Sequence, residues 1–94
     1  MEIKILEQKP GRHCKAISAL FEKDGEWYYA DLADLPLYGN ECMIFPATEN
    51  GEVTDWSEVY CNRPMSNVDE DNLLFCINEF CADLRDALEE DYES

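Results

Sequence analysis

The side chains best suited to chemistry in this chain are few. His13 is the single histidine, and Cys14 follows it directly between Arg12 and Lys15. Neighbouring cations favour a thiolate, so His13-Cys14 is the one adjacent pair of soft ligands or nucleophiles to weigh as a thiol or metal site. Its alternative is an ordinary surface turn after Pro10-Gly11. The four glycines stand at 11, 25, 39 and 51, all in turn contexts, and build no phosphate-cradling loop. No serine has a nucleophile-elbow context. Glu49, Glu52 and Asp55 offer hard oxygen ligands around Asn50-Gly51, but not at the spacing of a calcium loop. Cys42, Cys61, Cys76 and Cys81 lie in apolar patterns without a Cys-x-x-Cys pair, and are expected to be small buried hydrophobes rather than zinc ligands. The reading is therefore of a protein that is not an enzyme, with no catalytic residue, no metal and no cofactor.

Recognition remains. Glu79, Asp83, Asp86 and Glu90 recur at steps of 4, 3 and 4, so on a helix they form one acidic row. Neighbours in such a row stand about 5–6 Å apart, close to the spacing of successive phosphates on a nucleic-acid strand. A helix lined this way could imitate a phosphate row and occupy a nucleic-acid-binding groove. The alternative is a solvated face on an acidic protein. These four are the candidate partner-binding residues. Trp27-Tyr28-Tyr29 is a second candidate surface, with sheet core as its alternative.

The helix that carries the row is expected from Val68 to Leu88. Leu74, Ile77, Cys81, Leu84 and Leu88 give the apolar stripe, widened by Leu73 and Phe80, with the acids opposite. Asn67 is the expected cap, with Glu70 reaching back to it, and Asp69, Glu70 and Asp71 suit the positive end of the dipole. Residues 89–94 should be a frayed acidic tail.

Strands come before it. Glu2 to Glu7 and Lys15 to Glu22 are the first two. Asp24-Gly25 then predicts a two-residue type I′ hairpin, which sets Lys23 opposite Glu26, Phe21 opposite Tyr28, Ala19 opposite Ala30 and Ile17 opposite Leu32. That leaves Ser18, Leu20 and Glu22 facing Asp31, Tyr29 and Trp27 on the other side. Ala33 to Asn40 is expected as a connector because of Pro36, and Glu41 to Phe45 as a strand that Pro46 either closes or marks as an edge. Asn50-Gly51 marks either a tight hairpin, which would oppose Glu49 and Glu52, or a looser loop from Ala47 to Thr54. Asp55 to Asn62 should follow as a strand, with Trp56 and Tyr60 on one face, ended by Arg63-Pro64. The expectation is one α+β domain over residues 1–94: a mostly antiparallel sheet of about five short strands, with one long C-terminal amphipathic helix on one face.

Charge narrows the partners. The chain carries 22 acids, 7 bases and a net charge of −15, beyond the magnitude of about 2–8 that solubility asks for. Residues 1–23 hold Lys4, Lys9, Arg12, Lys15 and Lys23; only Arg63 and Arg85 follow. Direct nucleic-acid binding and anionic membranes are disfavoured, and a positively charged protein surface is the fitting partner. A homo-oligomer packing through Trp27, Tyr29 or a strand edge is the other association to expect. No long apolar run or leader-like pattern is present, which points to the cytoplasm.

The segment Met43-Ile44-Phe45, with Gly51-Glu52-Val53-Thr54-Asp55-Trp56-x-Glu58-x-Tyr60 and Arg63 after it, resembles small acidic proteins of phages, prophages and conjugative elements of Firmicutes. The opening from Ile5-Leu6-Glu7 to Pro10-Gly11-Arg12 is similar to a domain of such elements. Those proteins often carry Tyr after the Arg and a Glu-Glu-Ala helix start, where this chain has Pro64 and Val68-Asp69-Glu70-Asp71. The resemblance implies an inhibitor of host defence, among which are DNA-mimic anti-restriction and anti-CRISPR proteins; it carries no active-site residue across.

Overall fold

The computed structural model describes residues 2–6, 16–35 and 37–93, with side chains described to residue 84. Five antiparallel strands lie in sequence order, β1 (Ile3–Leu6), β2 (Ala16–Lys23), β3 (Glu26–Leu35), β4 (Gly39–Ala47) and β5 (Cys61–Pro64), followed by α1 (Glu70–Glu93). The helix packs on one face of the sheet, an α+β arrangement with a single core.

The β2–β3 hairpin has the expected register at every pair, from Lys23 opposite Glu26 to Ile17 opposite Leu32. Asp24 and Gly25 both take positive φ, 54° and 84°, as a type I′ turn demands. Lys23 Nζ nonetheless makes its ion pair with Asp24, at 3.9 Å, not with Glu26.

Three expectations about the strands are overturned. Ala33 to Asn40 is not a connector. β3 runs to Leu35 and β4 begins at Gly39, with the Tyr38 N–H donating to the Leu35 carbonyl at 3.2 Å across a tight turn. Pro36 lies outside the described residues, and β3 ends one position before it. Pro46 does not close β4 either; it pairs opposite Tyr28 inside the strand. Its carbonyl accepts from Thr54 N–H at 3.0 Å, on the side away from β3. The missing proline donor points to that same side, where the ladder is already broken.

The third correction is the largest. Of the expected strand Asp55 to Asn62, only Cys61 and Asn62 are extended, as the start of β5, and that strand continues through Arg63 and Pro64. The chain bridges β4 at Val53, opposite Ala47, leaves it, and returns where the Tyr60 N–H donates to the Ile44 carbonyl at 2.9 Å. The looser loop therefore replaces the tight hairpin: Thr48 N–H to Glu52 O, and Gly51 N–H to Thr48 O, hold residues 48–52. The excursion at 55–59 puts Trp56 and Tyr60 on opposite faces. Trp56 meets Phe45 and Tyr29 on the face away from the helix, at ring separations of 5.0 and 6.3 Å. Tyr60 meets Tyr28 and Phe80 beneath the helix. This loop also shields Leu20, whose side chain lies at the Gly51 backbone.

The helix is capped two residues later than expected. Asp69, not Asn67, accepts from the Asn72 N–H at 2.8 Å, and Glu70 is the first helical residue. The helix extends past Leu88 to Glu93. Its phase is also turned. Leu73, Cys76, Ile77 and Phe80 are buried, whereas Leu74 and Cys81 are half-buried and Phe75 is exposed. The stripe is therefore centred on the residues expected to be its margin. Phe80 decides this: its ring lies 5.2 Å from Tyr28 and 6.2 Å from Phe21, both on the helix-facing side of the hairpin. Phe21 is fully buried and Tyr28 partly so, and the helix is turned so that Phe80 packs on both.

Candidate functional site: an acidic surface

The turned phase moves the acidic row. At 100° per residue, Glu79 and Asp83 fall on the flank beside Cys76, not opposite the core. Contacts agree. Arg63 Nη1 lies 3.9 Å from Glu79 Oε2, and its guanidinium sits 5.9 Å from the centre of the Phe75 ring. Asp83 lies on the same flank, and its charge adds slightly to the rise of the Cys61 pKa that burial dominates. Both acids thus line the β5 edge of the helix. The sequence hid this because Arg63 was expected only to end a strand. In the ladder it opposes Cys42, which places it on the helix-facing side of β5.

Glu79 is therefore partly compensated, through a pair more than a third exposed on both sides and weak for that reason. Asp83 is exposed. The side chains of Asp86 and Glu90 lie outside the described residues, as do His13 and Cys14. Among the described residues the ion pairs are Lys23–Asp24 and Arg63–Glu79. Carboxylates without an ion pair to another described residue occur all round the fold: Glu26 and Asp34 on β3, Glu49, Glu52 and Glu58 in the long loop, Glu70 and Asp71 on the first helical turn. The anionic surface is broader than the helix row.

Three thiols converge under the helix. Cys42 of β4 and Cys61 of β5 project from the same face of the sheet toward Cys76 of α1. A hydrogen bond to the Cys76 sulfur, with burial, pushes the Cys42 thiol far up. Burial and the neighbouring Cys76 push Cys61 up to about 11. The bonds Cys76 receives from Cys42 and Cys61, with Arg63 nearby, lower its own pKa against the effect of burial. Cys42 and Cys76 are fully buried, so the set serves as core packing. Among the described residues no group of three or more His, Cys, Asp or Glu side chains is arranged to hold a metal ion.

On the other face, the Tyr29 hydroxyl donates to Ser18 Oγ at 3.0 Å, and Ser18 donates to Asp31 Oδ1 at 3.1 Å. Burial raises the Asp31 pKa, and the Ser18 bond offsets part of that. This relay was implicit in the hairpin register, which set Ser18 against Asp31. Next to it, a groove of about 440 Å³ runs between Leu20 and Trp27, rimmed by Glu2, Lys4, Glu22 and Glu49.

Large apolar side chains also reach solvent. Leu37 is fully exposed, Tyr38 is 75% exposed and Trp56 is 65% exposed. No helix among the described residues is long and apolar enough to cross a membrane. Comparison with protein-family models, with curated proteins and with solved structures gives no match.

Proposed function

We propose that this is a non-enzymatic accessory protein that works by binding a positively charged protein surface, in its sharpest form as a DNA mimic that occupies the groove of a nucleic-acid-binding host-defence protein. One observation carries the reading: a net charge of −15 on a compact fold whose described residues hold only two ion pairs. Self-repulsion of that size costs stability, and a basic partner relieves it. The row Glu79, Asp83, Asp86 and Glu90 is the part of this surface with phosphate-like spacing. Small acidic proteins of mobile elements, which the chain resembles, supply the biological setting.

The test uses immobilised purified proteins: a restriction endonuclease, an RNA-guided nuclease and a histone-like nucleoid protein. The wild-type chain is expected to bind at least one, to be displaced by duplex DNA, and to weaken steeply as salt rises. Replacing all four row carboxylates with Gln should lower that affinity at least tenfold with the fold retained. Unchanged affinity of the Gln variant would remove the row from the interface. Absence of wild-type binding across the panel at low salt would overturn the DNA-mimic form.

A further inference from the structure

We propose that the β3–β4 turn is an apolar anchor, with Leu37 entering a pocket on the basic protein partner and Tyr38 packing at its mouth. Leu37 has φ +74°, in the left-handed region that disfavours a side chain with Cβ. Glycine or asparagine is the residue that such a turn position selects. Leu37 is also wholly exposed, and Tyr38 beside it nearly so. Neither the strain nor the exposure helps the fold. The turn is held without them, by the Tyr38 N–H bond to Leu35 O and by Gly39 at φ +78°. A strained, exposed leucine on a well-formed hairpin is what a contact with something outside the chain would require.

Charge identifies the occupant. The hairpin from Glu26 to Ala47 carries Glu26, Asp31, Asp34 and Glu41 and no basic residue. Beside the turn, Asp34, Asn40, Asn67, Val68 and Asp69 line a shallow depression. A phosphate backbone or an anionic bilayer would be repelled here, whereas a basic protein rim around an apolar pocket complements both features. This rests on the reading that the partner is a basic protein, and adds where the apolar contact is made.

The experiment takes Leu37→Gly and Leu37→Asn through the same panel, with the four-Gln row variant and with phosphatidylglycerol and phosphatidylcholine vesicles. Both Leu37 variants suit a left-handed turn, so their thermal midpoints should equal or exceed that of the wild type. Their affinity for the bound panel protein should fall at least about tenfold, with the salt slope unchanged. Wild-type affinity in both variants would overturn the anchor and leave the basic-partner reading intact. Loss of binding in the Leu37 variants but not in the Gln variant would support the anchor and reject the row. Vesicle binding that depends on Leu37 would replace the protein occupant with lipid and overturn the proposal. A wild-type chain that binds no panel protein overturns it together with the DNA-mimic form.

Discussion

Leu73 and Leu74 are adjacent, chemically identical, and assigned opposite weights by the structure. Leu73 is fully buried in the cluster with Ile77, Phe80 and Ile44, whereas Leu74 is half-buried. Leu73→Ala removes a side chain from a close-packed site and should cost about 2–5 kcal/mol. Leu74→Ala gives up only part of a leucine's burial, about 1 kcal/mol, and recovers a little through the better helix propensity of alanine. A 94-residue chain has about 5–14 kcal/mol in total, so Leu73→Ala consumes a large fraction and Leu74→Ala a small one. Urea denaturation followed by helical circular dichroism measures both, and the comparison is sound where the slope stays the same. The midpoint should fall sharply for Leu73→Ala and slightly for Leu74→Ala. Equal losses, or a larger one at Leu74, would refute the phase of the helix. The placement of Glu79 and Asp83 along the β5 edge would fall with it.

Asp31→Asn should stabilise the fold at neutral pH. Burial raises the folded-state pKa of Asp31, so its contribution is fully present below the ordinary value of 3.8 and is lost as pH rises through the raised value; the gain from Asn should therefore vanish in acid, and a pH-independent difference would contradict it. Asp69 has the opposite sign. Bonds from Asn72 lower its pKa, so its cap is present above 3.8 and is lost as pH falls below it; Asp69→Ala should reduce helical ellipticity at pH 7 and lose that effect at pH 2. Arg63→Met should shift stability by less than about 1 kcal/mol, since its pair with Glu79 is exposed, yet tighten binding to a basic panel protein by freeing Glu79; weaker binding would count against the acidic flank. Raising salt from 10 to 150 mM, which shortens the screening length from about 30 to about 8 Å, should raise the thermal midpoint; an unchanged midpoint would mean that self-repulsion is not a cost in this fold.

What residue order determined alone is the local geometry. Asp24-Gly25 accepts positive φ twice, and from that one turn the whole β2–β3 register follows, down to Ser18 against Asp31. Composition set the surface charge, and helical period announced α1. Tertiary structure decided the rest, because each remaining question was one of competition. Leu73, Leu74, Cys76, Ile77, Phe80 and Cys81 offer two overlapping apolar stripes, and the Phe21–Tyr28 pair, 5.2 Å apart on the sheet, chose between them. Trp56 and Tyr60 read as one strand face until the Phe45 and Tyr29 rings on one side, and Tyr28 and Phe80 on the other, drew them apart. Arg63 reached Glu79 only because β5 closed the sheet at the Cys42 position. Periodicity names which residues want burial; only the partner face, with its own shape, settles which of them get it.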